Sequence, residues 1–108
     1  MASILTTEAR QMASKFTRAA RGQDCQVRIP GVCNFDPDTS VFAHLKGGGM
    51  GFKQTDLYGA IACSSCHDVI DGRVKRPARF TKSDIDLMHY QGMPRTLDIL
   101  IRSGILVL

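Results

Sequence analysis

Apolar residues recur every three or four positions near the start of the chain. From about Thr7 to Ala20 this spacing places them on one side of a helix, with the basic residues Arg10, Lys15, Arg18 and Arg21 elsewhere. The apolar positions are Ala9, Met12, Ala13, Phe16 and Ala20. Glu8 falls in the first turn and Gly22 just past the end, where helices favour an acidic residue and a glycine. The pattern predicts an amphipathic N-terminal helix.

Shorter β-prone runs occupy the middle of the chain. VFAHL and LYGAIAC predict two strands, one ending near His44 and the other at Cys63, with the glycine-rich KGGGMGFKQTD as a flexible loop between them. The following SSCHDVIDGR predicts a helix that is capped by Ser64 or Ser65 and ends near Gly72.

Helical spacing returns in the last third of the chain. SDIDLMHYQG predicts a helix with Ser83 as N-cap and Asp86 as its capping-box partner. Pro94 opens a last predicted helix, which stops at Gly104, and ILVL predicts a short closing strand. His89, inside the first of these helices, is interpreted as a packed or surface residue.

Size and composition indicate one small domain. The chain has 108 residues, 44% of them apolar, so its core is thin and benefits from a cross-link. We expect a single α+β unit over 1–108, with the N-terminal helix in 1–21, a central part in 22–73 and a helical part in 74–108. No apolar run approaches a membrane span and no secretory leader is readable, so we expect a cytoplasmic protein without a membrane partner.

The four cysteines fall into two close pairs. Seven residues separate Cys25 from Cys33, two separate Cys63 from Cys66, and 29 lie between the pairs. RIPG supplies the turn that folds Cys33 back toward Cys25. Two pairs on tight turns can bring four thiolates to one tetrahedral ion, and thiols of a cytoplasmic protein remain reduced. The spacing therefore predicts a structural zinc site.

Three other interpretations of the cysteines stay open at this point. CSSCH matches a haem-attachment pattern, but haem leaves the first pair without a role. A redox dithiol needs a strand-to-helix setting in a βαβ unit, which the pattern does not predict. Buried, unreactive cysteines are the remaining alternative.

Several quoted segments resemble known families. AHL, the glycine-rich loop and CSSCHDVIDGR together resemble the HNH, or ββα-metal, nuclease finger built on a treble-clef zinc knuckle. More closely, AARGQDCQVRIPGVCN, AHL, IACSSCHDVID and GMPRT are similar to the YbcO-like prophage proteins, a family described as "putative nuclease". This resemblance covers most of the chain from Ala19 to about Leu106 and implies a treble-clef zinc domain with a ββα finger, to which the apolar spacing adds the N-terminal helix and the C-terminal helices.

The resemblance also implies roles for individual residues. His44 corresponds to the general base that activates water, and His67 to a ligand of a divalent cation, such as magnesium or manganese, that is distinct from the structural zinc. Asp71 lies one helical turn beyond His67 and is a candidate second ligand. The chain departs from the pattern at Ala43, where the family usually has a metal ligand, and Asp56 is the nearest candidate for the family's middle asparagine.

Basic residues follow the predicted finger helix. Arg73, Lys75, Arg76 and Arg79 would lie beside the site and contact phosphates, and the net charge of +4 suits a polyanionic partner. We therefore predict a metal-dependent nuclease of phage or prophage origin that acts on DNA rather than RNA. The alternative is a non-catalytic zinc finger that binds nucleic acid or a recombination partner. A homodimer is left open.

Overall fold

A computed structural model of the protein describes residues 14–45 and 58–107. In this part of the chain helix α1 covers residues 14–20, strand β1 Val41–His44, strand β2 Gly59–Ala62, helix α2 Ser64–Ile70 and helix α3 Lys82–Arg102. A single turn of 3-10 helix, Pro37–Thr39, precedes β1. The predicted α+β class is confirmed, with three helices and a two-stranded sheet in the described residues. None of the helices in these residues is both long and apolar enough to cross a membrane.

The two strands are antiparallel and divide the core into two clusters. Phe42 pairs with Ile61 on one face of the sheet, where both pack with Phe16 of α1 and Leu100 of α3. Ala43 pairs with Ala60 on the other face, which packs against the cysteines and α2. Successive residues of β1 thus point into different clusters, because side chains alternate along a strand.

Helix α3 is longer than the sequence predicts. It begins at the N-cap Thr81, whose side chain accepts the Asp84 amide while the Asp84 carboxylate accepts the Thr81 amide. The predicted N-cap Ser83 is therefore wrong, and so is a separate last helix, because Pro94 lies inside one continuous helix. The ring of Pro94 is on the exposed side, where water can satisfy the carbonyl that loses its partner.

Contacts with β2 hold α3 together around the proline. Thr96 is fully buried, and its hydroxyl donates to the Gly92 carbonyl and accepts the Ile61 amide at 2.9 Å. Gly92 lies so close to the sheet that a methyl group there would meet Ala60 at 3.0 Å. This packing favours the continuous helix over a break at Pro94.

The two ends of the described chain agree only partly with the sequence. The N-terminal helix is confirmed over residues 14–20 and ends before Gly22, whose φ is +89°, while its earlier turns lie outside the described residues. Gly104 follows α3 with φ +77°, as predicted. The closing strand is wrong over the described residues: the amides of Ile105 and Leu106 both donate to the Leu100 carbonyl and form a turn.

Candidate metal centre and active site

The four cysteine side chains converge in the structure. Their sulfur atoms all lie within 4.8 Å of one another, and those of Cys33 and Cys63 are 3.9 Å apart. In a tetrahedral site with Zn–S bonds of about 2.3 Å, neighbouring sulfurs are separated by about 3.8 Å. The predicted convergence is confirmed, and the cluster can hold one metal ion such as zinc. It cross-links the loop of residues 25–33 to the junction between β2 and α2.

Backbone amides are directed at the sulfur atoms. Arg28 donates to Cys25 at 3.3 Å, and Asn34 and Cys66 both donate to Cys63 at 3.4 Å. The left-handed backbone of Arg28, with φ 54°, makes the tight turn that directs its amide at Cys25. Such N–H donors stabilise thiolates, so the donor set suits a metal ion. Cys63 is also the N-cap of α2, so the predicted caps Ser64 and Ser65 are wrong.

The protonation of the thiols is uneven. The Cys66 thiol donates to Cys25 and lowers the pKa of Cys25 to about 5, and the same hydrogen bond raises the pKa of Cys66. Burial raises the pKa of Cys33 to about 11. Metal binding must therefore displace protons from this cluster, which makes metal affinity depend on pH.

Two arginines from distant parts of the chain fix the cysteine loop. Arg79 Nη2 donates to the Pro30 carbonyl at 2.7 Å, and Arg95 Nη1 donates to the Gln26 carbonyl at 2.6 Å. The role of Arg95 was not predicted, because its partner lies 69 positions away and no local pattern reports the contact. Both arginines stabilise the loop that supplies Cys25 and Cys33.

A second polar group lies on the outer surface of α2. His67 Nε2 is 3.1 Å from Asp71 Oδ2, and both side chains are about a quarter exposed, at 26% and 23%. Arg73 approaches the same carboxylate oxygen at 3.6 Å and Asp68 at 3.7 Å. The expectation that Asp71 shares a face with His67 is confirmed. An imidazole and a carboxylate one turn apart can bind a cation together or share a proton.

His44 and Ala43 point to different sides of the sheet. The His44 ring is exposed and meets Phe42 edge-on at a centroid distance of 5.1 Å. Ala43 is 1% exposed and faces the cluster that contains α2. Asp56 and the glycine-rich loop lie outside the described residues.

His89 is a buried group that the sequence did not single out for the site. It is 5% exposed, and its Nε2 lies 2.8 Å from the Ala43 carbonyl. Burial lowers the pKa of His89, while its hydrogen bond to the Ala43 carbonyl and the charges of Asp86 and Asp71 oppose that change and the nearby His67 adds to it. A neutral ring that donates to Ala43 links α3 to β1, so the packed alternative for His89 is confirmed.

The number of protein ligands near His67 and Asp71 limits how a cation could be bound there. In residues 14–45 and 58–107, three or more histidine, cysteine or acidic side chains bring their ligand atoms together at one place only, the four cysteines. His67 and Asp71 therefore supply a pair of ligands. A cation held by this pair needs further ligands from water or from a phosphate.

The basic segment after α2 is exposed. Arg73, Lys75, Arg76 and Arg79 all lie on the surface. Arg76 Nε donates to the Phe80 carbonyl at 3.0 Å, and the Arg79 guanidinium lies 4.8 Å from the centre of the Phe80 ring. An open cavity of about 360 Å³ separates part of this segment from the cysteine loop and α2. Arg76 and Arg79 are thus held by contacts within the protein, and Arg73 is the basic residue of this segment that lies beside Asp71.

The fold and the site define a small α+β protein in which a cluster of four cysteines, able to hold a metal ion, lies at the start of a helix with a histidine–carboxylate pair. A family model described as "Putative nuclease YbcO" matches residues 14–105, and the chain belongs to this family. Two relatives carry the same description, one from Escherichia coli K12 and one from Enterobacteria phage 82. Each is 46% identical over 92 residues, which cover 82% of this chain and 93% of the relative.

A solved structure is also similar. It is described as that of a putative bacteriophage protein from Escherichia coli K-12, and it is 44% identical with a TM-score of 0.68. The match covers 82% of this chain and 98% of the other. The phage and prophage association expected from the sequence is therefore supported by the relatives.

Proposed function

We propose that the protein is a metal-dependent nuclease that hydrolyses phosphodiester bonds, with DNA as its substrate, in the cytoplasm. The observation that carries the proposal is the pair on α2: His67 Nε2 and Asp71 Oδ2 are 3.1 Å apart and partly exposed, with Arg73 beside them. The order of β1, β2 and α2 agrees with an HNH-like ββα finger. The description of the relatives as nucleases supports the same conclusion.

The proposed roles follow from chemistry and exposure. His67 and Asp71 hold a divalent cation such as magnesium or manganese, which would stabilise charge on the phosphate and on the leaving oxygen. In this proposal His44, exposed at the end of β1, takes the proton of the attacking water, the role that histidine most often fills. Its ring lies on the Phe42 side of the sheet and α2 packs on the Ala43 side, so the substrate has to reach His44 and His67 around the end of β1. Zinc bound by Cys25, Cys33, Cys63 and Cys66 supports the fold, since four thiolates leave no open coordination position.

The basic segment contacts the substrate backbone in this proposal. Arg73, Lys75 and Arg76 are exposed and can approach phosphates, while Arg79 has one nitrogen anchored on Pro30 and fixes the segment. These contacts bind any sequence, because phosphates carry no base information.

The activity is tested with zinc-loaded protein, plasmid DNA and added magnesium, manganese or nickel. We expect cleavage, and a loss of about 10²-fold or more in rate for His44→Ala, the loss typical of a removed general base. The control is Ser14→Ala, a change at an exposed position on α1, and this variant should cleave DNA as the wild type does. If the wild type cuts neither DNA nor RNA with any of the cations, or if His44→Ala retains full activity, the catalytic proposal is wrong.

Cation binding has its own measurement. Manganese bound to the protein is followed by electron paramagnetic resonance in the absence of DNA. His67→Ala and Asp71→Asn should each weaken binding, whereas Asp98→Asn, an exposed carboxylate on α3, should leave it unchanged. Equal manganese affinity in all four proteins would contradict the assignment of His67 and Asp71 as ligands.

A second candidate function is favoured by Ala43. Its methyl group is buried and its carbonyl faces His89, so β1 supplies no side-chain ligand at this position. A finger that lacks this ligand can act as a non-catalytic module that binds nucleic acid or a recombination partner. Such a module should bind DNA with a steep salt dependence and cut none, whereas the nuclease does both.

A further inference from the structure

Phe35 lies on the surface in a strained backbone conformation. It follows Cys33 by two positions, in the loop that leads from the cysteine cluster to the 3-10 turn. Its side chain is 83% exposed and belongs to neither core cluster of the described residues. Its φ of 57° is left-handed, a region that disfavours bulky side chains and suits glycine. Backbone strain that a fold retains is a reason to look for a function.

Hydrogen bonds fix the backbone on both sides of Phe35. The side chain of Asn34 spans it, because Asn34 Oδ1 accepts the Asp36 amide at 2.8 Å. The Asn34 amide donates to Cys63 Sγ at 3.4 Å, which ties the loop to the cysteine cluster. Asp36 Oδ1 in turn accepts the Asp38 amide at 3.0 Å. A side chain on a backbone that is already ordered loses less conformational freedom when it binds a partner.

The same loop is attached to the start of α2. Asn34 Nδ2 donates to Ser64 Oγ at 3.0 Å, and Ser64 is exposed. Ser64 precedes His67 by three positions and Asp71 by seven, so the three side chains lie along one side of the helix. Three residues correspond to about 4.5 Å along the helix axis at 1.5 Å per residue. A nucleic-acid strand bound at the His67 and Asp71 pair therefore passes close to Phe35.

The surroundings of Phe35 favour a base as its partner. Its exposed neighbours Asn34, Asp36 and Asp38 are polar, so the ring is not the centre of the apolar patch that a protein interface requires. The two carboxylates repel phosphates, so the backbone of a duplex is not attracted to this loop. The face of an unpaired base carries no such charge, and it can stack on an aromatic ring whatever its sequence.

We propose that Phe35 stacks on an unpaired base of the DNA strand that is bound at His67 and Asp71. This inference rests on the proposed function and adds a preference to it. Bases in an uninterrupted duplex offer no open face to the ring, whereas single strands, overhangs and mismatches do. The protein therefore binds DNA with an unpaired base beside the site more tightly than it binds a continuous duplex, without selecting a particular base.

Binding is measured by fluorescence anisotropy on zinc-loaded, full-length protein without magnesium or manganese. The probes are a labelled DNA hairpin with a single-stranded extension and the same hairpin with a blunt end. The wild type should bind the extended hairpin more tightly. Phe35→Gly should raise its dissociation constant for the extension by about tenfold or more, the loss typical of a removed stacking ring, and should bind the blunt hairpin as the wild type does. Tyr90→Ala, a change of a 47% exposed aromatic on α3, is the matched control and should bind both normally.

Further variants separate stacking from support of the fold. Glycine suits the left-handed backbone, so Phe35→Gly should show no loss of stability in urea unfolding. Phe35→Trp should keep the affinity for the extension, whereas Phe35→Leu, which is apolar but has no planar ring, should bind it as weakly as Phe35→Gly. The fluorescent base 2-aminopurine, placed in the extension, loses emission when it stacks. Wild type and Phe35→Trp should quench it, and Phe35→Leu should not.

The possible failures are distinguishable. If wild type and Phe35→Gly bind the extension equally, the ring contacts another protein or nothing and the stacking proposal is wrong, while the nuclease proposal is unaffected. If Phe35→Leu binds as tightly as Phe35→Trp, the contact is apolar rather than stacked, which also overturns it. If Phe35→Gly loses affinity but the wild type cuts no DNA, stacking is supported and the catalytic proposal fails. A wild type that binds neither hairpin overturns both.

Discussion

The contact of Gly92 with the cysteine loop gives a quantitative prediction for Gly92→Ala. An added methyl group would meet Ala60 at 3.0 Å, the Gln26 carbonyl at 3.1 Å and Val27 at 3.2 Å. Two effects oppose each other. Alanine improves the helix by about 1 kcal/mol relative to glycine, whereas overpacking a core costs about 1–3 kcal/mol.

The outcome depends on whether the neighbours of Gly92 can move. Gln26 is held from both sides, because its amide donates to the Ile61 carbonyl at 2.7 Å and its carbonyl accepts Arg95 at 2.6 Å. The methyl group therefore cannot displace it without weakening these bonds. We expect the cost of overpacking to exceed the gain in helix propensity, for a net loss of about 1 kcal/mol in the free energy of unfolding.

Gln26 is also the residue next to Cys25, so the same displacement should reach the metal site. Urea unfolding of zinc-loaded Gly92→Ala should show the loss in stability, and competition with a chromophoric chelator should show weaker zinc binding. Gln91→Ala, an exposed change in the adjacent position, should stay within about 0.5 kcal/mol of the wild type. A stabilised Gly92→Ala with unchanged zinc affinity would refute the reasoning.

Three further predictions concern buried groups. Cys63→Ser should abolish the binding of about one zinc per chain, and circular dichroism should show an unfolded domain. The reason is that a structural zinc site contributes on the order of 10 kcal/mol to folding. A variant that is folded and free of zinc would contradict this. Thr96→Val should lower the free energy of unfolding in urea by about 1–3 kcal/mol, because it leaves the buried Ile61 amide without a partner. An unchanged free energy of unfolding would show that this hydrogen bond does not stabilise the protein. The free energy of unfolding should fall as the pH drops below about 6.5, the ordinary pKa of histidine in the unfolded chain, towards the lowered pKa of His89 in the folded protein. In this range the unfolded chain binds a proton at His89 and the folded protein does not. His89→Gln should flatten this slope, measured by urea unfolding between pH 6.5 and 5.5, and an unchanged slope would exclude His89 as its source.

Local spacing was enough to predict the convergence of the four cysteines and the pair on α2. The two cysteine pairs each lie on a tight turn, and Asp71 follows His67 by one helical turn, so short-range geometry determines both sets of contacts. The role proposed for His44 rests on the resemblance, that of the basic segment rests on its charge and its position after α2, and both stay predictions.

Long-range contacts account for most of what the sequence did not reveal. His89 and Arg95 bind carbonyls 46 and 69 positions away, and no local pattern reports such distances. The break predicted at Pro94 follows a local rule, which the buried hydroxyl of Thr96 and the close packing of Gly92 against the sheet override. At α2, a thiol replaces the expected serine as N-cap because the metal site and the helix start at the same residue.

The double role of Cys63 couples the cysteine cluster to the start of the helix that carries His67. Its sulfur accepts amides from Asn34 and Cys66 and also faces the other three cysteines. Helix α2 has seven residues, too few to be stable without tertiary contacts. A chain stripped of zinc should therefore lose the geometry that joins His67 to Asp71, so the affinity for the cation proposed at that pair would become a readout of zinc occupancy.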